Sequence, residues 1–383
     1  METRREKIKR IEESIYSRSA IFIENKITIF LGAIAVLLWF CIFINYRISG
    51  ESKTKLISEE KLLKVVFFDV GQGDSALVCT PNNKYVLIDA GSWAGATISE
   101  GESGELVTET DSGKDIILPY LRKNNITELE GIIISHPHND HFGGLLSKAL
   151  IEKTKDYFDY FFYQDFLKNF LIDLTKEKKE FLSILFEIPV NWFIDSGLQI
   201  KVPEYGLLRT LVEIKKIKYI IAKPGETIDF GDPDIKVELL GPLGSYMLDT
   251  ISGVNNSSLV FKVTYKDVSI LFTGDIEIPA ELDLLDLKNT LKSTILKMPH
   301  HGSHTSSSIP FLEYVKPEVA IISCGRGNPF GHPHSETISK LEQYKIKYYR
   351  TDRDGNIILK TDGKNYTIET IEMSEKTTFT SKE

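Results

Sequence analysis

Five apolar, strand-length runs in this chain stop abruptly at residues that bind cations or turn the backbone. "YVLIDAG" stops at Asp89, "LEGIIISH" at Ser135-His136, "VSILFTGD" at Asp275, "STILKMPHH" at His300-His301, and "EVAIISCGRGN" at a Gly-Asn loop over 325–328. Short, wholly apolar runs bounded by such breaks suit buried strands. If the strand ends lie along one edge, their polar groups meet in one cleft on a rigid scaffold. Strands gather at both ends of the chain beyond residue 62, with helical stretches between them. The expected architecture is therefore an α/β sandwich of sheets covered by helices.

The histidines follow the same pattern. All eight fall in three short stretches: His136, His138 and His141 in "SHPHNDHFGG", His300, His301 and His304 in "KMPHHGSH", and His332 and His334 in "NPFGHPHSE". His-x-His-x-Asp-His offers four nitrogen or oxygen donors, a set that suits Zn²⁺ and also Mn²⁺ or Fe²⁺. A tight loop cannot aim all four at one ion. The reading is that His136 and His138 serve one ion, Asp140 and His141 a second, and that Asp275 bridges the two. A histidine of "PHHGSH", His300 or His301, completes the second ion. His304 and His334 are read as lying outside the ligand set, and Asp89 as a turn-capping carboxylate. The three cysteines include no C-x-x-C pair, which argues against a thiolate metal knuckle, and Cys79 is read as apolar packing.

Local patterns assign the elements. Strands are expected at Leu63–Asp69, Ser75–Thr80 and Tyr85–Asp89, with turns at 71–73 and 81–83. "GGLLSKALIEK" and "PAELDLLDLKNTLKS" read as helices. "GETIDFGDPDIKVELLGP" reads as strand, turn, strand, and "SSLVFKVTYKDVSILFTGD" as a hairpin turning at Lys266-Asp267. Residues 145–223 are taken as an insertion.

At the N-terminus, residues 27–44 carry no charge. As a helix they span about 27 Å, close to the hydrocarbon thickness of a bilayer. Arg4, Arg5, Lys7, Lys9, Arg10, Arg18 and Lys26 precede the run, while Arg47, Lys53 and Lys55 follow it. The positive-inside rule then places the N-terminus in the cytoplasm. The expected plan is a basic cytoplasmic tail (1–26), a transmembrane helix (27–46), a linker (47–62), a catalytic domain (63–370) and a polar tail (371–383). On that plan the protein is expected to be single-pass in the cell membrane, with its catalytic domain outside the cytoplasm.

Taken together, "FFDVGQGDSALV", "VLIDAG", "SHPHNDHFGG", "NNSSLVFKV", "ILFTGD", "LKMPHHGSHTSSS", "SCGRGNPFGHP" and "YYRTDRDGNIIL" resemble the metallo-β-lactamase fold superfamily. Within it they resemble the branch that includes the extracellular domain of ComEC-type DNA-uptake proteins. The resemblance implies an αββα metallo-β-lactamase sandwich, here preceded by one transmembrane helix, and a metal-dependent hydrolase with two divalent ions, Zn²⁺ or Mn²⁺. It implies that His136, His138, Asp140, His141, Asp275 and one of His300 or His301 bind metal. Asp140, Asp275 and His301 would be catalytic, while Gln72, Asp74, Asn256, Asn328 and His332 would line the substrate cleft. Two departures stand out. Residues 142–274 hold neither His nor Cys, so the first ion lacks an imidazole that many superfamily members supply; water or an oxygen such as that of Asn256 is expected instead. The chain also has one apolar span, which cannot form the many-helix channel of ComEC-type proteins, so a channel or surface complex is an expected partner.

The leading functional reading is a membrane-anchored hydrolase of a phosphate ester, with a nucleic-acid phosphodiester foremost. A wall- or lipid-linked phosphodiester is the alternative substrate, and a non-catalytic metal-binding module the alternative class. The formal net charge of −8 shows no global basic footprint for a polyanion.

Overall fold

Leu63, Val65 and Phe67 face one apolar cluster, whereas Val66 and Phe68 face another, so the first strand is buried on both sides. The same period of two recurs along the other central strands and builds a layered molecule. The structure, a computed structural model, describes residues 61–101, 104–155, 169, 171–173 and 183–371. The tail, transmembrane helix and most of the linker expected over 1–62, and nearly all of the tail over 371–383, lie outside them. Among the described residues no helix is long and apolar enough to cross a membrane. The chain divides into Met1–Leu56 and Ile57–Glu383, and every described residue belongs to the second unit.

Sixteen strands are described: β1 Leu63–Phe67, β2 Ser75–Cys79, β3 Tyr85–Ala90, β4 Gly95–Gly101, β5 Gly104–Thr110, β6 Leu129–Ile133, β7 Val190–Asp195, β8 Lys218–Ile221, β9 Ile235–Gly241, β10 Val260–Tyr265, β11 Val268–Phe272, β12 Ile295–Lys297, β13 Val319–Ile322, β14 Lys347–Arg350, β15 Asn356–Thr361 and β16 Tyr366–Ile371. One sheet runs β16-β15-β1-β2-β3-β6-β7-β8 and a second runs β14-β13-β12-β11-β10-β9; β4 and β5 form a separate hairpin. Between the two large sheets lies a core that includes Val65, Phe67, Ile133, Phe261, Phe272, Ile295 and Ile321. Phe261 pairs with Phe272 across β10 and β11, and Phe67 of the other sheet stacks on Phe272 at 6.0 Å. Each sheet buries its other face under helices: Leu145, Leu150, Leu208 and Leu211 on one side, Leu284, Phe311, Leu312 and Leu341 on the other. This is the α/β sandwich expected from the strand pattern.

Parallel pairing sets the position of the site. Strands β3, β6 and β7 run parallel in one sheet, and β11, β12 and β13 in the other. Asp89 near the end of β3, the histidine loop after β6, Asp275 after β11 and His300-His301 after β12 therefore leave the carboxyl ends of parallel strands, where α/β sheets place their ligands.

Several local expectations need correction. Residues 190–221 are not an insertion: β7 and β8 extend the first sheet, and the helix Pro203–Ile214 packs its leucines on it. The hairpin β4–β5 was not read from the sequence. "GETIDF" forms only the isolated bridge Thr227–Glu238. The helix expected over 143–153 breaks at Ser147, whose hydroxyl accepts the Leu150 N–H and starts a new helix, Lys148–Thr154. The helix expected over 279–293 ends at Leu284 and continues as a tighter turn with Lys288 at φ 48°. Cys79 packs against the outer core, and burial pushes its thiol up to about 12.

Candidate metal centre

The short helix Asn139–Phe142 folds the histidine loop back on itself. The carbonyl of His138 accepts the N–H groups of His141 and Phe142, which brings the His141 ring to 4.1 Å from that of His136. The loop "GQGD" holds this turn from the other side. Asp74 donates its N–H to the Asp140 carbonyl at 3.0 Å, and Gly73, at φ 142°, leaves no room for a side chain: a Cβ there would sit 2.4 Å from that same oxygen.

Four donors converge. Ligand atoms of Asp140, His141, Asp275 and His301 all lie within 4.8 Å of one another. Asp275 Oδ2 is 3.2 Å from both His141 Nε2 and His301 Nε2, and Asp140 Oδ2 is 3.3 Å from His301 Nε2. Metal–ligand bonds of 2.0–2.2 Å in a tetrahedron put donors roughly 3.3 Å apart, so the spacing already matches a coordinated ion. The outward nitrogens are fixed. His141 Nδ1 is 2.9 Å from Asp89 Oδ2, and His301 Nδ1 donates to the Ser323 carbonyl at 2.9 Å and lies 3.2 Å from Asp74 Oδ1. That leaves His141 Nε2 and His301 Nε2 buried without a hydrogen-bond partner, as is Asp275 Oδ1. Buried polar atoms left unpaired at one point call for an occupant, and the donor set fits a divalent cation.

Electrostatics agrees with this fit. Burial favours neutral His141, but the Asp275, Asp140 and Asp89 carboxylates outweigh it and raise the affinity of the ring for a proton well above the ordinary value. His301 behaves likewise, with burial overcome by Asp275 and Asp74. Burial opposes the charge on Asp275, yet His301 and His141 hold it well below the usual carboxylate range. The cluster thus draws positive charge to one point. His136 is different: burial, helped by His141, keeps it neutral. Its Nε2 lies 2.9 Å from His138 Nδ1, so these two rings form a separate two-nitrogen pair beside the four-donor group. Among the described residues this pair has no third histidine, cysteine or carboxylate within the same close spacing.

The other expected site residues divide between those that join the four-donor group and those that do not. His301 belongs to the four-donor group, whereas His300 turns to Thr305 Oγ1 (3.3 Å) and Glu277 (3.6 Å). Asn256 does not offer its oxygen to a metal or substrate; Oδ1 accepts the Glu277 and Ala280 N–H groups and starts the helix Ile278–Leu284. Asn328 braces its own loop, donating to the Gly325 and His332 carbonyls and accepting from the Phe330 and His332 N–H groups. Asp74 is buried behind His301 instead of lining a cleft, and Gln72 Oε1 accepts the Gly325 N–H. His332 lies beside His301, with ring centroids 6.0 Å apart. His304 and His334 pair with each other, Nδ1 to Nδ1 at 3.3 Å.

Three residues that matter here were missed. Asp89 is no turn cap: besides His141 it accepts the Ser135 N–H at 2.7 Å and the Ser135 hydroxyl at 2.8 Å. Ser258 Oγ, at the end of "NNSS", accepts the Asp275 N–H of "TGD" at 3.1 Å. Lys297 is buried, with Nζ 2.6 Å from Asp74 Oδ2. Its signal was a lone lysine inside the apolar run "STILKM".

Fold and site define a metal-dependent hydrolase built on a two-sheet sandwich. Residues 68–154 and 177–326, more than half of the chain, match the metallo-beta-lactamase superfamily, and the chain belongs to it. It is 27% identical over 331 residues to ComE operon protein 3 of Bacillus subtilis (strain 168), covering 85% of this chain and 35% of that protein. It is 28% identical to Recombination protein 2 of Haemophilus influenzae (76% of this chain, 28% of that one) and 26% identical to Competence protein ComA of Neisseria gonorrhoeae (76% and 31%). The chain thus spans about a third of the length of these relatives.

Proposed function

We propose that this protein hydrolyses a phosphodiester of nucleic acid. The observation that carries the reading is the four-donor group with His136 and His138 beside it: two adjacent cation positions suit the charge of a phosphoryl group. His141, His301, Asp140 and Asp275 would hold one ion, and His136 and His138, with Asp275, a second that is bound less tightly. Such ions supply Lewis-acid stabilisation of the phosphoryl charge and a water of lowered pKa. The protein's own residues supply the rest. Asp89 and Asp74 orient the imidazoles, and half-buried His300 faces Glu277. The relatives named Competence protein ComA and Recombination protein 2, and the sequence resemblance to ComEC-type proteins, support nucleic acid as the substrate. The net charge of −8 favours a second reading, a smaller wall- or lipid-linked phosphodiester. The deciding assay gives the reconstituted full chain a single-stranded oligonucleotide with Zn²⁺ or Mn²⁺. Cleavage that chelator abolishes is expected; intact oligonucleotide alongside hydrolysis of bis(p-nitrophenyl) phosphate would favour the second reading.

The proposal extends to location. The uncharged run at 27–44 and the cations before it support a single-pass anchor over 27–46, tethering by 47–62, and a catalytic domain over 63–370 outside the cytoplasm, beside a channel or surface complex. Protease added to intact cells is expected to remove the domain; full protection would reverse the orientation.

A further inference from the structure

One aromatic ring next to the metal centre is displayed instead of buried. Phe330 is 60% exposed. It is not on a loose strand of chain: Asn328 makes four hydrogen bonds across the loop, one of them to the Phe330 N–H. Hydrophobic burial gives no reason to brace a loop so that a phenyl ring faces water. The ring stacks on His332, 5.6 Å away and tilted by 22°, and His332 lies 6.0 Å and 31° from the ligand His301. His332 is itself buried, 9% exposed, and its Nδ1 has no partner. A tilted ring contact and then a stacked one therefore lead from the metal centre to an open aromatic face.

We propose that Phe330, backed by His332, is a stacking platform for an unpaired nucleobase next to the phosphate at the metal centre. This rests on the phosphodiester reading and sharpens it. Every base has a flat π-face, so the platform accepts any sequence. A base paired inside a duplex keeps its faces against its neighbours, so the platform selects single strands. Specificity thereby comes from a ring, which suits a chain with net charge −8.

The test compares two strands of equal length and charge, one of ordinary nucleotides and one of abasic tetrahydrofuran nucleotides. For the full chain, Phe330→Ala is expected to lower the ratio of kcat/KM (ordinary over abasic) by about tenfold, through KM, and Phe330→Trp to restore it. A strand carrying 2-aminopurine should be quenched on binding by the wild type and by Phe330→Trp, and not by Phe330→Ala. The exposed position leaves the melting temperature unchanged. An unaltered ratio in Phe330→Ala, with both strands cleaved by the wild type, overturns the platform and leaves the phosphodiester reading standing. Failure of the wild type to cleave either strand overturns that reading, and the 2-aminopurine quench then decides the platform alone.

Discussion

Asp275→Asn is expected to lower kcat/KM by about a thousandfold, the range seen when a preorganised electrostatic group is removed from an active site. Asp275 Oδ2 is the oxygen equidistant, at 3.2 Å, from the Nε2 atoms of His141 and His301. Burial denies it compensation by water. The amide keeps the shape but removes the charge, and presents an N–H₂ group or a weakly donating oxygen to the cations. Any cation held by these donors would then lose a charge-balancing carboxylate. His141→Ala should be no more severe than Asp275→Asn. His304→Ala should change the rate by no more than about twofold, because its partner is the equally peripheral His334. Initial rates on a common oligonucleotide rank the three variants. Wild-type turnover in Asp275→Asn would contradict the account of the site.

Lys297→Met is expected to act on stability. Its ammonium is buried, 2.6 Å from Asp74 Oδ2, and donates to the Met298 carbonyl at 2.9 Å. Met preserves most of the volume. It leaves the Asp74 carboxylate in the protein interior with only His301 and His141 as cationic neighbours. Breaking a buried pair from one side costs about 3–5 kcal/mol, or a fall in Tm of about 10 °C for a domain of this size. The double variant Lys297→Met/Asp74→Asn should recover part of that loss, since no charge is then stranded. A single variant that melts with the wild type would show that the pair does not support the fold.

The contrast between these two residues shows what a sequence can reveal. Asp275 stands out because imidazole and carboxylate donors are rare enough to be counted, and because the turn "TGD" ends an apolar run. Strand β13, "VAII", is apolar and buried at every position, and β1 and β10 interrupt their apolar runs only with Lys64, Lys262 and Thr264, so the sandwich was legible too. Lys297 and Asp89 were not, because their partners are set by tertiary packing: Asp74 lies more than two hundred positions from Lys297, and His141 more than fifty from Asp89. Asn256 and Asn328 misled for a related reason. An amide near a cleft reads as a substrate contact, yet an amide has both donors and acceptors, and here backbone groups of a helix start and a loop take them. Residues 190–221 hid two strands because the edge strand β8, "KYII", is largely exposed and carries no clean alternation.

The metal centre itself is the central claim, and elemental analysis of the purified full chain after reconstitution with Zn²⁺ tests it most directly. We expect at least one ion per chain to survive dialysis, held at Asp140, His141, Asp275 and His301, and a second to appear only with excess metal, because His136 and His138 have no comparable third donor close by. A chain that retains no metal under either condition would contradict the account.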